Sequence, residues 1–308
     1  MNTRFLTAVA LCGVLAAGVI AAGCGSSNNN TSSTSSGGTL TATPGINVAA
    51  DSKIAGELPA DVKSSGSLTV AADATYPPME FYAKGDNSTV IGADADIAKA
   101  LGQIMGLKPS VQNVTFDSII PGLAAGKYNL GMSSFTDTKE REATVDFVTY
   151  AQAGTSFYTK ASGGTDVATL ADLCGHSVAV EKGTTQQTDA EGQSKKCQAA
   201  GSGAVDVQVL PDQNGANLAI SSGRAELGMA DSPVAAYIVQ QSNGQFVLGK
   251  AYGVAPYGIA MQKNSGLTQP VLDAITALYA DGTMQKIFSY WQLPGAAITT
   301  PKIDGATS

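Results

Sequence analysis

Residues 126–147 read GKYNLGMSSFTDTKEREATVDF. Behind the short apolar run 130–132 stand four hydroxyl residues, Ser133, Ser134, Thr136 and Thr138, and then Arg141. Hydroxyls and unpaired backbone N–H groups donate hydrogen bonds, and a guanidinium grips a carboxylate with two parallel ones. The spacing therefore suits a small anion. Residues 181–186, EKGTTQ, form a second donor-rich turn. If that turn opens a helix, its free amides and the hydroxyls of Thr184 and Thr185 also favour an anion.

The first stretch has a second copy. Residues 123–134, LAAGKYNLGMSS, align without gaps to residues 220–231, ISSGRAELGMAD, matching Gly126 with Gly223 and Leu-Gly-Met with itself. Each copy predicts a helix, a terminating glycine and a buried strand. Ser134 and Asp231 fall at equivalent points just beyond those strands. Ligands of open α/β sheets sit outside the carboxyl ends of strands. One copy offers hydroxyls and Arg141, the other the carboxylate of Asp231. A molecule carrying a carboxylate and an ammonium on neighbouring atoms, an α-amino acid, fits between them. The plainer alternative is two ordinary helix–strand units with solvated polar ends.

The elements that must hold these groups are laid out along a chain of 308 residues, 44% hydrophobic and 14% charged, enough for one or two α/β domains with real cores. The formal charge of −7 argues against nucleic acid as a partner. Arg4, the apolar run 5–20 and Ala21-Ala22-Gly23-Cys24 read as an export signal. A cysteine after small residues resembles a lipoprotein signal, cleaved after residue 23 with the lipid on Cys24, although Ala21 stands where leucine is usual. An uncleaved anchor, or plain secretion, is the alternative. Residues 25–38 are Ser, Asn, Thr and Gly, a flexible tether. Cys174 and Cys197 are then left in an oxidising compartment, where a disulfide closing about 20 residues contributes about 3 kcal/mol. No metal site and no cofactor is expected.

Further along, 67–72 reads as a strand, and Pro77-Pro78 forces a loop that leaves Tyr76 beyond its end. A helix is expected over 94–105, a strand over 111–114, and Phe116 opens the helix ending at Gly126. Residues 152–158 and 246–255 read as crossings between two lobes. Residues 45–66, poor in large hydrophobes, are expected to be an extended lead-in. Met284, Ile287, Phe288 and Trp291 are expected to be core.

The segments DATYPPMEF, IGADADIAKAL, FDSIIPGLAAGKYNLGMSSFTDTKERE, VDF, VEKGTTQ and GMADSPVAAY follow one another within 67–291. Together they resemble the bacterial extracellular solute-binding proteins of ABC importers, in the polar amino-acid class with histidine-, lysine/arginine- and glutamine-binding proteins. The resemblance implies an α/β, two-lobed periplasmic-binding-protein-like fold, each lobe a sheet flanked by helices, with two interlobe crossings. It implies a signal at 1–23, a tether and lead-in at 24–66, a first lobe at 67–154 and 252–295, a second at 155–251, and a tail at 296–308. It implies a lipid-anchored monomer on the outer face of the cell membrane, a non-enzyme delivering its amino acid to a permease. No G-x-x-x-x-G-K-[ST] motif is present, so the ATPase is a separate subunit.

By position, the resemblance makes Arg141 the clamp for the ligand carboxylate, helped by Ser133, Ser134, Thr136 and the backbone near Thr185. Asp231 receives the ammonium, Tyr76 and Phe116 flank the side chain, Asp73 lies near its far end, and Thr184, Thr185 and Gln186 reach in from the second lobe. Three positions depart from the family pattern: Ala93 replaces an aromatic, Asp137 an aliphatic residue, and Glu181 a leucine beside the ligand. Asp73 and Glu181 together favour a cationic side chain, as in arginine, lysine, histidine or ornithine. A Glu181 turned to solvent would leave a neutral ligand such as glutamine. Two other functions share the scaffold: an exported prephenate or arogenate dehydratase with Glu181 as its acid, and a receptor subunit that reports an amino acid. A Ser-His-Asp hydrolase is disfavoured, because His176 is the only histidine and lies beside the expected disulfide.

Overall fold

The computed structural model describes residues 42–307. The expected signal, Cys24 and the tether 25–38 lie outside the described residues. The lead-in is not extended. Asp51 accepts the amides of Lys53 and Ile54 and so caps helix α1 (Ser52–Glu57), and Pro59 precedes α2 (Ala60–Ser65). Ile54 of α1, Leu58 between the helices and Val62 of α2 are all buried in the main core. Few hydrophobes suffice when each is buried against a larger core, which is why sparse composition misled. Before α1 the chain is also fastened: the Thr43 amide donates to Asp96 Oδ2 (2.7 Å) and the Asp51 amide to the Ile104 carbonyl (2.8 Å).

Strand β1 (Ser67–Ala72) is followed by three short antiparallel pieces, β2 (Thr75–Tyr76), β3 (Glu80–Tyr82) and β4 (Val90–Ile91). Helix α3 (Ala93–Ile104) then buries Ile97, Ala98, Leu101 and Ile104 at helical spacing. It begins at Gly92, whose φ is +127° and whose added Cβ would lie 2.1 Å from the Met79 carbonyl oxygen. Only glycine fits there. Next come β5 (Lys108–Asn113), α4 (Phe116–Ala124), β6 (Leu130–Gly131), the single turn α5 (Lys139–Glu142) and the long β7 (Val145–Lys160). The second half repeats the sequence with β8 (Ser177–Glu181), α6 (Thr185–Ala199), β9 (Asp206–Leu210), α7 (Gln213–Ser221), β10 (Leu227–Asp231) and α8 (Ser232–Gln241). Strand β11 (Phe246–Gln262) returns, and α9 (Thr268–Ala280) and α10 (Thr283–Tyr290) close the fold.

The strand order is β5-β1-β6-β11-β7-β10-β8-β9. Read inward from either edge, each half gives its second strand, its first, and the strand of the sequence repeat. The repeat strands β6 and β10 pair in parallel with β1 and β8, and antiparallel with β11 and β7. Both repeat helices end on a glycine with positive φ, Gly126 at +69° and Gly223 at +78°. Where one sheet per lobe was expected, hydrogen bonding is continuous, because β7 and β11 run unbroken through both lobes. Their pairing slips between Leu248 and Ala251, Tyr252 and Ala255, and Tyr257 and Gly258. Such bulges bend paired strands, so the two-lobed molecule can flex at this crossing.

Cores lie on both sides of it. Phe157, Leu173, Val178, Val180 and Met229 pack in the second lobe, and Leu68, Ile97, Leu101, Ile275 and Phe288 in the first. The Met284, Ile287, Phe288 and Trp291 positions are buried, as expected. Cys174 and Cys197 form a disulfide with Cα atoms 5.4 Å apart, tying α6 to the turn before β8. The tail is not loose either: Ile303 bridges Val148 antiparallel, along the free edge of β7. No helix among the described residues is long and apolar enough to cross a membrane.

Candidate functional site

A small, closed-down cavity lies between the lobes beside the crossing. It is lined by Asp73, Tyr76, Phe116, Ser133, Ser134, Thr136, Arg141, Glu181, Thr184, Thr185, Gln186 and Asp231. All twelve candidates from the sequence meet in one place.

Arg141 sits in the single turn α5, whose cap Thr138 accepts the Arg141 amide at 3.2 Å. Its guanidinium carbon lies 5.4 Å from the Phe116 ring centre and 5.3 Å from that of Phe135, two rings stacked 4.4 Å apart. That contact gives the planar cation an aromatic support. One Nη donates to the Thr136 carbonyl (2.8 Å), and the other crosses the cleft to the Gly183 carbonyl (2.9 Å). The rest of its five-donor fork is left for the cavity. Burial lowers Arg141 to about 10, which leaves it charged at neutral pH. Facing it is the start of α6, where Thr184 caps by accepting the Gln187 amide (3.2 Å) and donates to the Glu181 carbonyl (2.7 Å). The first-turn amides of Thr185 and Gln186 add positive potential there.

Asp231 ends β10. Its amide donates to the Tyr76 hydroxyl (2.9 Å), and its Oδ1 accepts Gln186 Nε2 (2.8 Å), which also donates to Thr155 (2.9 Å). Burial pushes the Asp231 carboxyl up to about 6, against the opposing effect of its donors. A carboxylate held this way is an acceptor for an ammonium. Away from Arg141 stand Asp73 and Glu181. Asp73 accepts the Thr75 hydroxyl (2.7 Å) and the Phe116 amide (3.0 Å), whereas Glu181 Oε1, buried beside the Asp73 carboxyl, has no basic, amide or hydroxyl donor among the described residues. Burial, then the charge of Asp73, raises Glu181 well above the usual carboxylate range, and burial raises Asp73. Two carboxyls this close call for a cation between them.

Ser133 differs from its expected role. Its hydroxyl donates to Glu80 Oε1 (2.8 Å) and accepts the Asp73 amide (2.9 Å), so it faces into the wall although its residue lines the cavity. Ser134, at φ +52°, turns its amide onto Asp94 Oδ2 (2.9 Å), and the Tyr150 hydroxyl donates to Asp94 Oδ1 (2.6 Å). Glu80 and Asp94 are thus a buried acidic backing that sequence reasoning did not find. They lie inside PPMEF and GADAD, segments quoted for their resemblance without a role for either acid.

The cleft is shut. Besides the Arg141 and Tyr76 bonds, Lys182 pairs with Asp117 across the lips (2.8 Å), and the Gln213 amide donates to Thr75 Oγ1 (3.3 Å). Gly183 passes so near that an added Cβ would lie 3.0 Å from Asp117 Cβ. His176 pairs with Glu226 (2.7 Å), is half-exposed and does not line the cavity.

Residues 68–294 match the family model described as bacterial extracellular solute-binding proteins, family 3. The chain is 34% identical over 239 residues to the arginine-binding protein ArgT of Corynebacterium glutamicum, covering 76% of this chain and 77% of that one. It is 28% identical to the L-cystine-binding protein TcyJ of Escherichia coli, covering 75% and 84%. Among solved structures, an ancestral arginine-binding protein bound to arginine is similar with a TM-score of 0.67 at 33% identity, covering 73% of this chain and 98% of that one.

Proposed function

The chain belongs to the bacterial extracellular solute-binding proteins of family 3, and on that premise we propose that it captures a basic amino acid, L-arginine first, for an ABC importer. The cavity side chains that face the ligand divide the work. Arg141 and the start of α6 hold the α-carboxylate, Asp231 the α-ammonium, Tyr76 and Phe116 the aliphatic stem, and Asp73 with Glu181 the cationic head. The observation that carries the reading is the buried Glu181 Oε1 beside Asp73, without a basic, amide or hydroxyl donor among the described residues. A guanidinium supplies the missing donors and cancels the charge that burial makes costly. The arginine-binding names of the similar proteins support it, and the cystine-binding relative marks the neutral alternative.

Closure follows from the site. Groups from both lobes meet the ligand only when the cleft is shut, so binding shifts the population towards the closed form. We take 67–154 with 252–295 as one lobe and 155–251 as the other, the closed form docking on a permease served by a separate ATPase. Export by residues 1–23 and a lipid on Cys24 would hold this monomer at the outer face of the membrane. In a receptor role the same site would serve a signalling partner. Calorimetric titration with arginine, lysine, ornithine, histidine and glutamine tests the ligand. Glu181→Gln is expected to weaken arginine about tenfold or more and glutamine hardly at all, since a charged hydrogen bond is at stake. Equal effects on both ligands would overturn the cationic pocket. Turnover of prephenate by the purified protein would revive the dehydratase reading.

A further inference from the structure

Asp137 stands in sequence between two cavity residues, Thr136 and Arg141, yet turns away from the cavity and is fully buried. Its Oδ2 accepts the Gly305 amide (2.8 Å), and Glu142, just past Arg141, accepts the Ala306 amide (3.1 Å). The preceding tail residues are fixed as well. Asp304 donates its amide to the Phe147 carbonyl (3.0 Å) and accepts the Phe147 amide on Oδ1 (2.9 Å). The Thr149 amide donates to the Lys302 carbonyl (2.8 Å), and the Lys302 amide to Thr149 Oγ1 (2.9 Å). Residues 302–304 therefore lie along the edge of β7, with the single antiparallel bridge of Ile303 to Val148 at its centre. The two residues that follow, Gly305 and Ala306, grip both sides of the segment that carries Arg141. Gly305 makes the approach possible, because an added Cβ would lie 2.8 Å from Thr149 Cγ2.

Packing alone does not call for an acid at 137. Its Oδ1 is buried with no basic, amide or hydroxyl donor among the described residues. The groups facing it are themselves acidic, Glu142 and Asp304, while Lys139 is engaged with Glu142 at 2.7 Å. Burial and then the charge of Glu142 push Asp137 up to about 7. A buried carboxyl in such company is costly, and an aliphatic residue would fill the space without that cost. What the acid adds is the bond to the tail. The strap lies beyond residue 294, where the family match stops.

We propose that the C-terminal strap 302–306, through Asp137 and Glu142, sets the position of the Arg141 guanidinium, making Asp137 a positioning residue for recognition of the ligand carboxylate. The proposal rests on the reading of Arg141 as the carboxylate clamp. Its test compares L-arginine with L-argininamide, which lacks the carboxylate, by calorimetric titration of four full or nearly full chains: the unaltered protein, Asp137→Ala, Asp137→Asn and a chain ending at Pro301. Asp137→Ala and the shortened chain are expected to bind arginine about tenfold more weakly, with the argininamide affinity nearly unchanged, the size expected for one misplaced charge-assisted bond. Asp137→Asn keeps an oxygen for the Gly305 amide and should restore most of the arginine affinity. An unchanged arginine-to-argininamide ratio in both altered chains, or equal losses for both ligands, would overturn the proposal. If the unaltered protein does not distinguish the two ligands, the clamp reading itself fails. The strap is then judged by amide hydrogen exchange of residues 138–144 in ligand-free protein. Faster exchange in Asp137→Ala and in the shortened chain upholds it as an anchor of that segment, and unchanged exchange removes it.

Discussion

Asp231 is where the charge of the site becomes measurable. Burial lifts its carboxyl to about 6 in the closed form, and only the ionised form receives an ammonium. The sign is therefore fixed: amino-acid affinity is present above that value and lost as pH falls through it. Calorimetry at pH 7.5 and pH 5 should find binding about tenfold weaker at pH 5, one unit below the midpoint. Asp231→Asn should flatten much of that dependence while lowering affinity throughout. The cavity residues were legible in the sequence because their types announce chemistry. Arg141 follows four hydroxyls, and Asp231 occupies the matching point of a repeat. The direction of a side chain was not legible. Ser133 reads as a ligand donor until its hydroxyl is found to donate to Glu80, and Glu80 comes near it only through the three short strands β2–β4. Asp137 was noticed as a departure from pattern, but its partner lies 168 residues away.

Among the elements, the start of α3 is the most exacting. Gly92 combines a φ of +127° with a 2.1 Å approach of an added Cβ to the Met79 carbonyl oxygen. Gly92→Ala must move the Met79–Glu80 backbone at the start of β3, or α3 itself, and the expected loss is about 2–4 kcal/mol, read as an earlier urea midpoint with the slope unchanged. Because Asp94, two residues on, holds the Ser134 amide, the same change should also weaken ligand binding. The strongly periodic elements, α3 and the repeated helix–glycine–strand units, were legible from spacing alone. The lead-in was not. Its two short helices depend on Ile54, Leu58 and Val62 meeting the first lobe, and on Asp51 as a cap, and six-residue helices have little stability without such packing. Nor does local sequence reveal that β7 and β11 are continuous, since that follows from their pairing with each other.

For the whole molecule, closure gathers Asp73, Glu181 and Asp231 into one cavity, and burial raises all three. Groups raised in the closed form favour it at low pH, and that favour is lost as pH rises through their closed-form values. Ligand-free protein should therefore open as pH is taken from 5 to 8. The Lys182–Asp117 pair acts in the opposite sense, but it is largely exposed, where such pairs contribute at most about 1 kcal/mol. Small-angle X-ray scattering should show a larger radius of gyration at pH 8 than at pH 5 without ligand, and a return to the smaller value on adding arginine at pH 8. A radius independent of pH would mean that the cleft carboxyls do not govern closure. The fastening of Thr43 and Ala306 bears on how that motion can be watched. Thr43 is bound to Asp96 and Ala306 to Glu142, both on the side we take as the first lobe. Two fluorophores attached at these two positions would travel together and stay dark to ligand. An optical reporter needs one dye on the other side of the hinge, and Gly192 on α6, where an added Cβ meets nothing within 4 Å, offers a place for it.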